Sequence, residues 1–172
     1  RLGSTQNPVP LSLCDTDSDG ILDGTTAPIT ENYESDFLEN YEIGAKLSLL
    51  EGKLSINSAL YRINWEGIPV GQLSPTCFFS IIVNGAEARS QGLELEGIFQ
   101  VTQNLRASLG GSYVNAELTA DTIGLGLDGD RLPGSPEYNI NLGLQYEFDV
   151  GSHASFFRGD YSYVGGFYSN LQ

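Results

Sequence analysis

The sequence predicts an all-β fold, a segment of an antiparallel transmembrane β-barrel with about six long strands. Apolar and polar residues alternate over stretches of about ten residues or more, whereas strands usually span ~5–6 residues. Short and long connections also alternate, as in outer-membrane barrels with short periplasmic turns and long extracellular loops. No apolar run in the chain approaches the ~20 residues that a transmembrane helix requires, so a helical membrane protein is excluded.

The composition favours strands and loops over helices. The 172 residues include 21 glycines, nine tyrosines and eight phenylalanines, and they contain no methionine. Their formal net charge is −14, and a chain with so few cations lacks the groups that neutralise nucleic-acid phosphates. No nucleic-acid partner is therefore expected.

Two units are predicted along the chain. Residues 1–36 are rich in Pro, Asp, Ser and Thr without apolar periodicity, and they are interpreted as an extracellular loop. Residues 37–172 are interpreted as barrel strands with short periplasmic turns and long extracellular loops. The chain shows no signal peptide at Arg1, and FYSNLQ ends within a strand-like pattern, so we expect a portion of a longer protein.

The first two strands show the clearest start of the pattern. Alternation runs from Phe37 to Leu49, Glu51-Gly52 makes a tight turn, and a second strand begins at Leu54. At residues 61–65 the apolar side chains change parity. A β-bulge would explain this, and so would emergence from the bilayer into the interfacial zone, where Tyr and Trp are favoured.

The remaining strands continue the alternation. Residues 66–87 are predicted to form a long connection with its own hairpin, whose turn is the type I′ pair Asn84-Gly85. Further strands are predicted near Leu93–Val101, Leu105–Tyr113, Tyr138–Val150 and Phe157–Tyr163, separated by turns at 102–104 and 151–152 and by a loop at 120–135.

The alternation alone does not decide which face meets lipid. In a barrel the Leu, Ile, Tyr and Phe positions contact lipid, and the polar positions face a wet interior. In a soluble β-sandwich the same apolar residues would pack inward, and the residues leave both interpretations open. Five charged residues are interpreted as cross-strand ladders of the interior rather than as a substrate site: Glu94, Glu96, Arg106, Arg158 and Asp160.

The stretch DTDSDGILD, residues 15–23, matches the start of a calcium loop of the type D-x-D-x-D-G-x-x-D. Hard cations need several oxygen ligands, and alternating carboxylates present theirs from one side of a tight turn. We expect bound Ca²⁺, with ligands from the carboxylates of Asp15, Asp17, Asp19 and Asp23 and the backbone carbonyl of Ile21. The twelfth position is Thr26 rather than Glu, so a solvated acidic turn is the alternative.

The two cysteines, Cys14 and Cys77, lie far apart without C-x-x-C spacing, so a zinc site is not expected. A disulfide suits an exported chain, and two free buried thiols are the alternative. A bridge would pin the predicted calcium loop over the barrel mouth. No enzyme activity is expected: His153 lies alone at a short turn, and Gly124–Asp130 lacks the strand-to-helix context of a phosphate loop.

Three blocks of the sequence occur in the order and spacing of one family. They are Glu39–Lys46 within ENYEIGAK, Asn84–Glu96 within NGAEARSQGLELE, where Ala86 intrudes, and Gly129–Glu137 within GDRLPGSPE. They resemble the C-terminal half of the barrel of TonB-dependent outer-membrane receptors. The resemblance covers roughly residues 37–168 and implies a portion of a roughly 22-strand barrel in a Gram-negative outer membrane.

The resemblance also implies function and partners. The parent protein would import a scarce nutrient, an iron chelate, cobalamin or a sugar, with energy from the TonB system through parts not present here, and the strands would contact outer-membrane lipid. Two alternatives of other classes are a structural or adhesive β-protein that assembles edge to edge and a secreted calcium-binding β-domain.

Overall fold

The computed structural model describes residues 3–122 and 125–169, which form an all-β structure. Six antiparallel strands make one sheet in which each strand pairs with the next along the chain, which confirms the predicted fold class. The elements are β1 Ser4–Thr5, α1 Leu11–Cys14, β2 Asn32–Tyr33, β3 Phe37–Leu49, β4 Leu54–Leu73, β5 Ser80–Gln100, β6 Leu105–Leu118, β7 Tyr138–Val150 and β8 His153–Val164. Among the described residues, no helix has the length and apolar character needed to cross a membrane. The predictions about the two chain ends and about Gly124 concern positions outside the described residues.

Connections of different length lie at the two ends of the six-stranded sheet. Residues 50–53, 101–104 and 151–152 connect strands at one end, and residues 74–79 and 119–137 connect them at the other. In the first turn, Leu50, Glu51 and Gly52 all have positive φ angles, of 53°, 55° and 87°, which lets the chain reverse in few residues. The short turns therefore share one end of the sheet.

The connection predicted at residues 66–87 is wrong, because most of it is paired strand. β4 continues to Leu73 and β5 begins at Ser80, so the hairpin turns at residues 74–79. Asn84 lies inside β5 opposite Pro69, beside a register shift. Proline has no N–H to donate to the ladder. The side-chain amide of Asn84 donates to the carbonyls of Gly67 and Glu34, at 2.7 and 2.9 Å. The Asn-Gly pair thus marks an irregularity in a strand rather than a turn.

The change of parity at residues 61–65 is not caused by a bulge. β3 and β4 pair without interruption from Leu49 and Leu54 to Phe37 and Glu66. β4 and β5 also keep their register up to Trp65, and the register shifts come only after it. The side chains therefore keep alternating, and it is the polarity of each face that changes along the strands.

Cross-strand partners share one face of a sheet, so the pairing assigns each strand residue to one of two faces. The apolar face carries no Asp, Glu, Lys or Arg over most of its height. It comprises the odd positions of Tyr41–Leu49, Leu93–Phe99, Leu105–Tyr113 and His153–Tyr163 and the even positions of Leu54–Leu60 and Tyr138–Val150. The polar face carries the five charged residues predicted for the interior, together with Lys46, Asn57, Asn141 and Gln145.

The two faces exchange polarity toward the end of the sheet that carries residues 74–79 and 119–137. Beyond its apolar positions, the apolar face continues with Arg62, Arg89 and Glu117. The polar face continues there with apolar side chains that are at most 5 % exposed: Ala86, Ala88, Ala116 and Leu118. This exchange explains why the apolar residues of β4 change parity while the strand stays regular.

Residues 3–36 fold against the β4–β5 hairpin and have a core of their own. Cys14, Leu22 and Ala27 pack with Ile81 of β5. Ile81 pairs with Gln72, and alternation followed through the two register shifts places both on the side of Ala86 and Ala88. The segment therefore covers the side of the hairpin that continues the polar face.

Candidate functional site

The acidic loop of residues 15–23 brings three of its carboxylates together. One carboxylate oxygen each of Asp15, Asp17 and Asp19 lies within 4.8 Å of the other two. Gly20 turns the chain with a φ of 79°, and the N–H of Ile21 donates to Asp19 Oδ1 at 2.8 Å. Like charges at this distance repel one another, so a divalent cation between them would stabilise the loop.

Asp23 lies outside this group of three. Its Oδ2 accepts hydrogen bonds from the N–H and the hydroxyl of Thr16, at 3.2 and 2.8 Å. Its own N–H donates to the carbonyl of Cys14 at 2.9 Å, so Asp23 closes the base of the loop. Ile21 adjoins the group through Asp19 and forms an isolated antiparallel bridge with Pro28. The structure groups three of the five predicted ligands, and binding by all five stays a prediction.

A disulfide joins the acidic loop to the tip of the β4–β5 hairpin. Cys14 and Cys77, 63 positions apart in sequence, are bonded with their Cα atoms 5.4 Å apart. Cys14 is 1 % exposed and packs in the core of residues 3–36. The Ser74 hydroxyl donates to the carbonyl of Asp23 at 2.8 Å. A covalent bond, an apolar core and a hydrogen bond thus hold the acidic loop against the hairpin tip.

The apolar anchors of residues 3–36 were not predicted. Leu22 is 0 % exposed, and Val9 and Ile29 pack against the same core. These side chains follow no helical or strand period: Val9 lies between two prolines, and Leu22 adjoins Ile21 in a polar, irregular stretch. Large aliphatic residues within a polar segment were the one available signal.

A cleft of about 480 Å³ lies beside this core, between residues 26–34 and the outer part of the β4–β5 hairpin. Polar and apolar residues both line it, among them Thr30, Thr122, Tyr33 and Val83. Pockets of this size and mixed lining accommodate small molecules.

On the polar face, charged residues line a cleft of about 510 Å³, among them Glu96, Arg158 and Asp160. Arg158 Nη2 lies 2.8 Å from Asp160 Oδ1, two residues along β8. In the connection between β6 and β7, Arg131 Nη1 donates to Glu137 Oε2 at 3.0 Å, and this hydrogen bond raises the pKa of Arg131 above its usual value. His153 is exposed, with Nδ1 3.4 Å from the Ser152 hydroxyl.

The apolar face has the height of a bilayer crossing. Aromatic pairs flank it at both ends: the rings of Tyr113 and Tyr138 are 5.2 Å apart, and those of Tyr146 and Phe148 are 6.1 Å apart. The ten steps from Tyr138 to Phe148, at ~3.3 Å per residue and a tilt of ~40°, give about 25 Å along the membrane normal. An apolar band of this height between aromatic girdles is typical of outer-membrane barrels.

Comparisons with known proteins agree with this geometry. The family model described as TonB-dependent receptor-like, β-barrel, matches residues 16–172. The metal-pseudopaline receptor CntO of Pseudomonas aeruginosa is 33 % identical over 112 residues, which are 64 % of this chain and 15 % of that receptor.

Solved structures show the same fold. The ferric yersiniabactin uptake receptor FyuA of Yersinia pestis aligns with 85 % of this chain and 22 % of its own, with a TM-score of 0.66 and 18 % identity. BauA of Acinetobacter baumannii, the ferric preacinetobactin receptor, aligns with 94 % of this chain and 22 % of its own, with a TM-score of 0.63 and 19 % identity. The chain thus spans between 15 % and 22 % of the length of these three proteins.

Proposed function

The chain belongs to the β-barrel family of TonB-dependent receptors, and from this premise we propose that it is a section of an outer-membrane receptor for a metal chelate. The observation that carries the proposal is the sheet with one charge-free apolar face about 25 Å high and one polar face. Such a sheet suits lipid on one side and a water-filled interior on the other. Three similar proteins are named as receptors for metal-pseudopaline, ferric yersiniabactin and ferric preacinetobactin, which favours a metal chelate over cobalamin or a sugar.

The two ends of the sheet support a proposed orientation in the outer membrane. The short turns would face the periplasm, and residues 3–36, 74–79 and 119–137 would lie outside the cell. There the cleft beside residues 26–34 would contact the incoming chelate, and the TonB system would supply energy through other parts of the longer protein.

Chelate uptake tests this function in the full-length protein. Cells that have no other chelate receptor and produce this protein are expected to accumulate at least one radiolabelled metal chelate, and to stop when TonB is deleted. Thr30→Trp, at an exposed position that lines the cleft, narrows it and is expected to reduce uptake, whereas Leu73→Trp, exposed nearby but outside the lining, serves as the matched control. Uptake of cobalamin or a sugar instead would reject the metal chelate as substrate. Edge-to-edge assembly of the protein into fibres would reject its function as an uptake receptor.

We also propose that the acidic loop binds Ca²⁺ and that the ion stabilises residues 3–36 over the barrel interior. The three grouped carboxylates and the disulfide beside them support this. Calorimetric titration of the full-length protein with Ca²⁺ is the test. Asp17→Asn with Asp19→Asn removes two charges from the site and is expected to weaken binding by at least about tenfold. Glu31→Gln with Glu34→Gln, which removes two charges from exposed positions of the same segment, should leave binding unchanged, and equal weakening by both double variants would point to general charge rather than a site.

A further inference from the structure

Two arginines lie side by side on the apolar face, where its uncharged positions end. Arg62 pairs across the strands with Gln91, and Asn64 pairs with Arg89. Arg62 and Arg89 are therefore diagonal neighbours on one face, with Cβ atoms roughly 7–8 Å apart. Two like charges at this distance repel each other unless an anion lies between them.

Within the part of the chain that the structure describes, neither guanidinium forms an ion pair with a carboxylate. Arg62 Nε donates to Asn64 Oδ1 at 3.1 Å, whereas Arg89 Nε is buried and has no hydrogen-bond partner. Glu117, opposite Arg89 on β6, accepts instead from Asn115 Nδ2 at 3.1 Å. A buried donor without a partner is costly, and a bound anion would satisfy it.

A shallow groove of about 560 Å³ lies on the membrane side of Arg62. Leu60 and Leu93 form its floor, and Tyr41 and Tyr113 stand at its sides. In the described strands, no Asp, Glu, Lys or Arg follows on this face toward the short turns. Glu42 also lines the groove but belongs to the polar face. The groove is thus apolar at one end and cationic at the other, which is the polarity of a lipid acyl chain with its head group.

Carboxylates on the same face lie on the opposite side of the arginines. They are level with Arg89 or farther from the groove: Glu39, Glu66, Glu87 and Glu117. Glu66 and Glu87 stand between the arginines and bulk water and would repel a dissolved anion, whereas Glu39 and Glu117 lie level with Arg89 on β3 and β6. An anion that approaches from the membrane side meets the guanidinium groups first, and this favours a lipid over free phosphate.

We propose that this groove binds a membrane lipid through a phosphate group in its head group. The phosphate lies against Arg62 and Arg89, whose planar guanidinium groups suit phosphate oxygens, and an acyl chain covers Leu60 and Leu93. The proposal rests on the membrane placement given under the proposed function. It adds a ligand on the outer surface of the barrel, away from the route of any transported molecule.

Lipid retention is the test. Full-length receptor is reconstituted in nanodiscs of phosphatidylcholine with a minor fraction of lipid A, then extracted into detergent, and retained lipid A is counted by native mass spectrometry. Arg62→Gln with Arg89→Gln is expected to lower retention by about tenfold or more. Lys46→Gln with Arg106→Gln makes the same charge change on the polar face and is expected to retain lipid as the unmodified protein does.

Each remaining outcome decides the proposal. Equal retention in the Arg62 and Arg89 variant overturns it, and so does displacement of lipid A by excess inorganic phosphate, which would identify an ion site. If the glutamine variant does not fold, Arg62→Lys with Arg89→Lys keeps the charge but loses the planar fork, and undiminished retention there overturns the proposal as well. Chelate uptake measured on the unmodified receptor and on the same variants separates the two proposals. If none of these proteins takes up a chelate but lipid A retention follows the expected pattern, only the transport function is rejected.

Discussion

Removal of the Cys14–Cys77 disulfide tests how residues 3–36 are held against the hairpin. If the segment detaches while β3 and β4 stay folded, the loop that the disulfide closes is the 23-residue stretch 14–36. Loop-closure entropy for this length corresponds to about 3 kcal/mol. Loss of this term raises the population of the detached segment by about a hundredfold.

Hydrogen exchange measures this population directly. The N–H groups of Leu22 and Asp23 donate to the carbonyls of Ala27 and Cys14, both at 2.9 Å, so their exchange requires the segment to open. In the full-length protein with Cys14→Ala and Cys77→Ala, we expect these two amides to exchange about a hundredfold faster. Ser12→Ala, an exposed position of α1, is the control and should not change them.

Two results would refute this reasoning. If exchange at Leu22 changes by less than about threefold, the apolar core and the Ser74 hydrogen bond hold the segment without help from the disulfide. If exchange of the β7 amides accelerates to the same extent, the disulfide stabilises the whole sheet. The loop-closure entropy of residues 14–36 is then the wrong basis for the expected effect.

Three further predictions concern packing and charge. Leu22→Ala leaves a cavity in the core of residues 3–36 and is expected to cost about 2–5 kcal/mol of docking free energy by hydrogen exchange; exposed Leu13→Ala should have no effect. Gly92→Ala places a Cβ against the Tyr113 carbonyl and 2.7 Å from the Tyr61 hydroxyl, so denaturant titration should show unfolding easier by about 1–3 kcal/mol. Gly159→Ala, with open space around it, should match the unmodified protein, and equal losses would contradict the steric argument. Arg131→Gln should cost at most about 1 kcal/mol, because the ion pair with Glu137 is partly exposed. The hydrogen bond to Glu137 raises the pKa of Arg131, so this contribution is complete below the usual pKa of a guanidinium and is lost only as pH rises through the folded value. Urea titrations at several pH values near neutrality should therefore show the same destabilisation by Arg131→Gln.

The strands were predictable where alternation is strict. β7 has the predicted bounds Tyr138–Val150, because each of its residues meets either the apolar or the polar side, and a period of two follows directly. The prediction failed at Asn84-Gly85, whose strong local turn preference is overridden by pairing with β4 beside Pro69. Turn propensity is a local preference, and the ladder of a long hairpin outweighs it.

The candidate site was predictable only in part. The spacing of Asp15, Asp17 and Asp19 is local, and the same short turn that makes the motif readable brings their carboxylates together. The role of Asp23 in closing the loop depends on Thr16 and could not be read from the spacing. The choice between a disulfide and free thiols also stayed open, because Cys14 and Cys77 become neighbours only when residues 3–36 dock on the hairpin.

The sequence by itself determined the all-β class, the two-sided polarity of the strands and the resemblance to one receptor family, because these depend on residues a few positions apart. Only the tertiary structure decided the strand register, and with it the juxtaposition of Arg62 with Arg89 and the core that joins Leu22 to Ile81. A slip of one residue in register leaves the alternation of each strand intact but changes every cross-strand neighbour. Surfaces and cores that combine distant strands are therefore set by pairing across the whole sheet.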